Sequence, residues 1–178
     1  MTQQVAPTLS YLDQEWEIYQ MDRTGWFDPT KHGLRPNRQT SCNWDGYVLH
    51  YGLEAGDVLR LVKITANMTH MPDDGAPPIL GVQPVRVKAK VGRHVDAVYH
   101  MSLPIQYYGI ISVARDFSEA EDDRTTKASG CSGYPFINYL QHRRLTLSNG
   151  ALASEEDASA EVAAAREEFI RKKGRFWG

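Results

Sequence analysis

The side chains best suited to nucleophilic chemistry are a cysteine in a glycine-rich segment and a set of histidines. Cys131 lies in the tetrapeptide Gly130-Cys-Ser-Gly133, where its thiol could be exposed and where His100 or His142 could serve as its base. The other interpretation, which we prefer, is that this segment is a flexible loop. No Gly-x-Ser-x-Gly nucleophile elbow occurs in the chain. We therefore assign no catalytic residue and keep these three side chains as candidates.

Metal-ligand spacings and cofactor motifs are not found in the sequence. The six histidines form no His-Glu-x-x-His motif and no pair four residues apart on a predicted helix. Cys42 and Cys131 lack the Cys-x-x-Cys spacing of a zinc site. Neither of the glycine-rich phosphate-binding motifs, Gly-x-x-x-x-Gly-Lys-[Ser/Thr] and Gly-x-Gly-x-x-Gly, is present. We expect no metal and no cofactor.

Aromatic side chains provide a second kind of candidate site. Several of them, with two histidines beside them, fall on segments that we predict to be strands, and half or more are expected to be core residues. The others could line a pocket or form an interface hot spot, where aromatic residues are enriched. The candidate binding residues are Trp44, Tyr47, His50, Tyr51, His100, Tyr107 and Tyr108.

The elements that would position these residues are mainly strands. Side chains alternate between two faces in Gly46–Leu53 and Val58–Ile64, and the short Glu54–Gly56 segment between them favours a turn, so we predict a β-hairpin. Residues 1–10 are expected to be a loose tail. Alternation predicts further strands in Tyr11–Met21, Gln83–Val91, Val95–Ser102, Gln106–Phe117 and Leu140–Ser148.

The segment Gln83–Val91 shows the clearest division into two faces. Its valines are expected to point inward, while Arg86 and Lys88 point to water, which is typical of an antiparallel sheet with one solvated face. Together with Lys90 and Arg93 these cations form a basic row. The row is either a solvated sheet face or a contact for an anionic partner.

Two segments of different character follow the strands. Residues 118–135 are acidic at the start and glycine-rich at the end, and they predict a long exposed loop. Asn149-Gly150 is a strong turn signal. Residues 154–173 predict a helix capped by Ser154, with a stripe of apolar residues: Ala158, Val162, Ala165 and Phe169.

Length and composition fit one domain over residues 1–178. A chain of 178 residues with 42 % hydrophobic side chains can bury a core of ordinary size. We expect an α+β domain that is mainly antiparallel β-sheet, either a curved sheet or an open barrel, with a C-terminal α-helix. Its parts are a β-rich body at 11–117, the acidic and glycine-rich loop at 118–135, and the helix at 154–173.

Three separated blocks within residues 11–117, in the family's order, resemble a widespread family of uncharacterised bacterial proteins, and two of them carry its hairpin motif and its Y-x-H-M motif. The first is Thr40-Ser-Cys-Asn-Trp-Asp-Gly-Tyr-Val48, which is similar to the family's T-x-x-W-x-G-Y-[IV] hairpin. The second, Tyr99-His-Met101, is similar to its Y-x-H-M block. The resemblance implies a bacterial, cytoplasmic, β-rich protein and no particular activity.

Charge and hydropathy exclude two classes of partner. A formal net charge of −2 argues against a protein held on nucleic acid by a basic field. No apolar run approaches the ~20 residues that span a bilayer, so no membrane partner is expected. The chain shows no secretory signal and has two cysteines that we expect to be reduced, which favours a cytoplasmic location.

The leading functional hypothesis is a non-enzymatic bacterial interaction protein, of the immunity type, that binds a protein partner. The acidic 118–135 segment beside the aromatic-bearing sheet would steer a basic partner surface. One alternative is a small-molecule or peptide binder with Trp44, Tyr51, His100 and Tyr107 at the mouth of a pocket. Another is a thiol hydrolase or transferase that uses Cys131 and a histidine.

Overall fold

The computed structural model describes residues 6–22, 27–36, 45–53, 58–68, 75–88, 95–129 and 136–174. Over these ranges the chain forms nine strands and two α-helices, which confirms the expected α+β class. The elements are β1 (Thr8–Tyr11), β2 (Gln14–Gln20), β3 (Tyr47–Leu53), β4 (Arg60–Asn67), β5 (Val85–Lys88), β6 (Val95–Pro104), β7 (Gly109–Phe117), α1 (Glu119–Ser129), β8 (Tyr139–Ser148), β9 (Ala151–Asp157) and α2 (Ser159–Gly174).

All the strands belong to one open sheet in the order β5-β6-β4-β3-β1-β2-β7-β8-β9. The neighbouring strands are antiparallel except for β1 and β3, which run parallel. The β3–β4 hairpin is confirmed, because Tyr47 pairs with Ala66 and Gly52 with Arg60. The two edges of the sheet are therefore β5 and β9.

The sheet is strongly curved, because residues that precede β4 meet the turn between β8 and β9. The N–H of Leu59 donates to Gly150 O at 2.7 Å, and Leu59 O accepts from the N–H of Ile105 at 2.8 Å. Val58 and Ala151 form an isolated antiparallel bridge beside them. We call this set of bonds the rim contact. It bends the sheet without closing it, since β4 and β9 do not pair along their lengths.

The inner face of the curve encloses a single hydrophobic core. In β3 the alternation is as predicted, because Leu49, Tyr51 and Leu53 are buried while His50 and Gly52 are less so. The largest fully buried side chains are Trp16, Tyr51, Tyr99, Tyr107, Leu9, Leu49, Leu53, Leu59, Leu61, Ile64, Ile79 and Ile111.

The start of the chain differs from the prediction of a loose tail followed by one strand. Thr8–Tyr11 is a strand, and Leu12 and Asp13 turn the chain into β2 with φ of 53° and 58°. Two successive residues with positive φ form the kind of tight turn whose twist suits a β-hairpin. The sequence gives little warning of this turn, because leucine rarely adopts positive φ.

The prediction of a loop over residues 118–135 is wrong for its first part. Glu119–Ser129 is helix α1. Ser118 caps it, since its Oγ accepts from the N–H of Glu121 at 3.3 Å and its carbonyl accepts from the N–H of Asp122 at 3.0 Å. The acidic residues of the first turn also stabilise the helix through its dipole. Residues 130–135, which include Cys131, lie outside the described residues.

The C-terminal helix is confirmed, but it begins later than predicted. Ala151–Asp157 is strand β9 and not a helix start, so Ser154 is not the N-cap. Helix α2 begins at Ser159, whose N–H donates to Asp157 Oδ1 at 2.9 Å. Cross-strand pairing explains the shift, because β9 places Glu156 directly opposite Arg144 on β8.

The buried stripe of α2 also differs from the predicted one. Ala158 is buried and Val162 is half-buried, as expected, but Ala165 is exposed. The buried residue of the next turn is Arg166, with 6 % of its surface exposed. A charged residue replaces an apolar one in the stripe because the helix lies over carbonyl oxygens that accept hydrogen bonds.

Strand β5 corrects the prediction for Gln83–Val91. Only Val85–Lys88 is strand within the described part of this segment, and all four residues are exposed. Val85 and Val87 do not point into the core, since they are 55 % and 44 % exposed. The physical reason is position, because an edge strand pairs with one neighbour and lies beside the core.

Substituting Gly150 is expected to weaken the rim contact. This residue has φ of 81°, and an added Cβ would collide with the carbonyl oxygen of Ile105. Gly33 has φ of 90° but nothing within 4 Å of an added Cβ. Gly33→Ala should therefore lose about 1–2 kcal/mol from backbone strain alone, and Gly150→Ala about 1–3 kcal/mol more from overpacking. Equal losses in urea denaturation would contradict this role for Gly150.

Candidate functional site

The outer face of the sheet is covered by helices on one half. Tyr19 on β2 stacks on Phe136, with ring centroids 4.9 Å apart, and meets the edge of His142 at 5.7 Å. Phe136–Asn138 forms a short 3-10 turn ahead of β8. Helices α1 and α2 pack on each other and on this turn, and α2 also packs on β8. Helix α2 therefore covers β8, and the 3-10 turn covers the neighbouring part of β2 around Tyr19; we call this the covered half of the outer face.

The buried side chain of Arg166 fixes this covering layer. Its Nη1 donates to Ile137 O at 2.7 Å and also reaches Tyr139 O at 3.4 Å. Its Nε lies 3.3 Å from Glu121 Oε2, an ion pair without a well-aligned hydrogen bond. Arg124 pairs with the same carboxylate at 2.8 Å. One carboxylate of α1 thus neutralises a guanidinium of α2.

Asn138 adds a second link between α1 and the turn before β8. It is fully buried, and its Nδ2 donates to Asp122 Oδ1 at 2.7 Å. Its Oδ1 accepts from Thr125 Oγ1 at 3.1 Å. The acidic side chains of Glu121 and Asp122 are therefore occupied within the molecule, which weakens the idea that they steer a basic partner.

His142, one of the three catalytic candidates, lies beneath the helices. It is 1 % exposed, and its Nε2 donates to Tyr139 O at 3.0 Å. Desolvation lowers the pKa of the imidazole, so the ring is neutral. His100 is exposed on β6, on the other half of the outer face. The structure does not bring the two histidines together, and a thiol reaction at Cys131 stays a prediction.

The other half of the outer face carries no described helix. Core residues of β3, β4 and β6 point inward, so the alternate residues point away from the core. Strand register aligns them in two rows. The first row is Val85, Val98, Thr65 and Val48, and the second is His100, Lys63, His50 and Thr8. We call these eight residues the open face.

His50 is the most constrained polar residue of the open face. Thr8 Oγ1 lies 2.9 Å from its Nδ1, and Thr65 Oγ1 lies 3.2 Å from its Nε2. Burial, aided by the charge of Lys63, lowers the pKa of His50 to about 4. Both ring nitrogens are thus engaged and the ring is neutral, so His50 presents an apolar ring surface between two hydroxyls.

The predicted aromatic residues are divided between the core and the surface. Tyr51 and Tyr107 are 1 % exposed. The hydroxyl of Tyr51 accepts from the N–H of Phe27 at 3.4 Å, and that of Tyr107 donates to Ile110 O at 3.1 Å. Burial raises the pKa of both tyrosines.

The remaining aromatic candidates do not join these two. Tyr47 is half-buried and packs against the core, whereas Tyr108 is 65 % exposed. Trp44 lies outside the described residues. The parts of the chain that are described therefore do not gather these side chains into one pocket, and binding by them stays a prediction.

Two arginines over a buried tryptophan form a feature that sequence reasoning missed. The guanidiniums of Arg115 and Arg143 lie 4.9 Å and 5.6 Å from the ring centroid of Trp16. Glu155 accepts from Tyr11 at 2.7 Å and pairs with Arg143. No sequence signal reveals this stack, because its three members come from three separate strands. Each cation has an acidic neighbour, so we read the stack as the polar rim of the core.

Searches for other kinds of site gave limited findings. Among the described residues, no group of three or more His, Cys, Asp or Glu side chains is arranged to hold a metal ion. Within the same ranges, no helix has the length and apolar character needed to cross a bilayer.

Comparison with known proteins gave no assignment. No family model matches the sequence, and neither the curated proteins nor the solved structures include a significant match. The resemblance to the bacterial family therefore stays a prediction.

Protonation of His50 is expected to lower stability in mild acid. Its pKa is about 4 in the folded protein, against about 6.5 in an unfolded chain. The unfolded state therefore binds more protons between these values, and the free energy of unfolding falls as the pH drops from about 6.5 to 4. His142, with its lowered pKa, contributes in the same direction.

The variant His50→Gln separates the contribution of His50 to this loss of stability from that of His142. Its free energy of unfolding, measured in urea at several pH values, should fall less steeply than that of the unmodified protein between pH 4 and about 6.5. Titration of the His50 ring by NMR should give a midpoint near 4. A midpoint near 6.5, the ordinary value, would contradict the description of His50 as desolvated.

Proposed function

We propose that this chain is a non-enzymatic interaction protein whose open face binds a protein partner. The observation that carries the proposal is the unequal covering of one sheet. Helix α2 packs on β8, and within the described ranges no comparable helix contact is made with β3, β4, β5 or β6.

The composition of the open face supports binding. Val48 and Val98 are half-buried and Val85 is 55 % exposed, so the first row presents apolar surface. The second row contributes Lys63 and His100 as a polar border. An apolar patch with a polar border is the usual composition of a protein-binding surface.

The charge of this half of the sheet indicates the chemistry of the partner. Lys63 on β4 points to the open face, whereas Arg86 and Lys88 lie on the edge strand β5 with their side chains on the opposite side of the sheet. Residues 75–88 contain these two cations and no acidic side chain. We therefore propose a partner with an acidic surface that also offers apolar side chains. In the immunity-type form of this proposal, the partner is a toxin that the protein binds.

Affinity capture with three forms of the protein tests the proposal. A lysate of the cells that make the protein is passed over the unmodified chain, over V85E/H100E and over I110E/L140E. The first variant adds acids to the open face, and the second adds them at exposed apolar positions elsewhere, since Ile110 and Leu140 are 50 % and 52 % exposed. A stoichiometric partner should be retained by the unmodified chain and by I110E/L140E, and lost from V85E/H100E.

Two results would contradict the proposal. One is the absence of any stoichiometric partner, and the other is retention of the partner by V85E/H100E. Size-exclusion chromatography with light scattering is run beside the capture. A dimer of the unmodified chain that V85E/H100E dissociates would show that a second copy, and not another protein, covers the open face.

A further inference from the structure

Strand β5 is an edge strand whose free side is an unused hydrogen-bonding edge in the described structure. It pairs with β6 alone, from Val85 opposite Val98 to Lys88 opposite Val95. In an antiparallel sheet, an edge strand directs half of its backbone N–H and C=O groups away from its neighbour. Such an edge can accept an extended chain as an additional strand.

The two faces of β5 present different side chains. Val85 and Val87 lie on the side of the open face, because they pair with Val98 and Asp96. Arg86 and Lys88 lie on the opposite side by alternation. All four β5 side chains are exposed. An incoming strand would therefore meet valines on one side and cations on the other.

The charges argue against a second β5 as the occupant. If β5 paired antiparallel with itself so that valines met valines, Arg86 would face Arg86, or Arg86 would face Lys88. Like charges directly opposite each other destabilise a strand pair, while opposite charges stabilise it. The strand is thus suited to a segment with acids at alternate positions.

The acidic strand β9 of a second copy has the complementary charge, but it is a weaker candidate for another reason. Its acids already have partners within the molecule, because Glu155 pairs with Arg143 and Glu156 with Arg144. Its first residue, Ala151, is bridged to Val58.

We infer that β5 accepts an extended acidic segment of a partner protein as an additional strand of the sheet. The inference rests on the proposed function and names the chemistry of the partner at the β5 end of the open face. Backbone hydrogen bonds would supply affinity, and the alternation of valines with cations would select a segment that alternates apolar and acidic residues.

Binding of a synthetic peptide tests the inference. The probe is acetyl-(Val-Glu)4-amide, and its matched control is acetyl-(Val-Lys)4-amide. The glutamate peptide should bind and slow hydrogen exchange of amides in 85–88, while the lysine peptide should not. Added salt should weaken the binding, since the charges involved are exposed. No binding, or equal binding of both peptides, would overturn the inference.

Charge reversal on the protein completes the test. R86E/K88E should bind the glutamate peptide roughly tenfold more weakly, because attractive cross-strand pairs become repulsive, and it should begin to bind the lysine peptide. K31E/R35E is the control, because it reverses two exposed cations outside the sheet and should bind the glutamate peptide like the unmodified protein. If R86E/K88E kept its affinity, the inference would be wrong.

Failure of the inference can be distinguished from failure of the proposed function. If lysate capture depends on the open face but the peptide does not bind, the partner covers the face without adding a strand, and only the inference falls. If capture does not depend on the open face, the proposed function falls as well. Light scattering that shows dimers, together with slower hydrogen exchange of the 85–88 amides on dimerisation, would assign the edge to a second copy and overturn the inference.

Discussion

The buried guanidinium of Arg166 is the interaction on which the arrangement of the molecule depends. A buried cation is tolerated only when its charge and its N–H groups find partners. Those partners are the carboxylate of Glu121 on α1, the carbonyl of Ile137 in the turn before β8, and the carbonyl of Tyr139 at the start of β8. Both helices are consequently held over one half of the sheet. They cannot move towards β3 and β4 without leaving this charge unpaired.

Curvature determines what the other half can do. The rim contact between Leu59, Gly150 and Ile105 bends the sheet around its core, so the inner face is filled by side chains of the sheet itself. A sheet that fills its own interior does not need helices on its outer face for stability. The outer face over β3, β4 and β6 is therefore the surface to which we assign the proposed binding.

The fold could be read from the sequence where local signals agree with tertiary structure. The β3–β4 hairpin was predictable because alternation and a turn signal coincide. The boundary between β9 and α2 was not, because Ser154 and the acids that follow it suit a helix start as well as a strand opposite Arg144. Helix α1 was missed for a similar reason, since a segment rich in acids suits both a loop and a helix N-terminus.

The candidate site was less predictable than the fold. His50 and His100 were singled out by type, and they do lie on the open face. The partners of His50 could not be foreseen, because Thr8 belongs to a segment that looked like a tail. The alternation of side chains led to a wrong prediction for Val85, which was expected to point into the core and is exposed. Alternation separates the two faces of a strand, but it does not show whether anything covers either face.

The near-neutral net charge of −2 conceals an uneven distribution of charged side chains between the two halves of the sheet. Acids of α1 and β9 are used within the molecule, where they neutralise Arg166, Arg143 and Arg144. Within residues 75–88, by contrast, Arg86 and Lys88 have no acidic neighbour in sequence. Acids of α1 and β9 thus balance cations of the covered half, whereas Arg86 and Lys88 are exposed on an edge strand. Under the proposed function, these two exposed cations would select an acidic segment of the partner, although the chain as a whole carries almost no net charge.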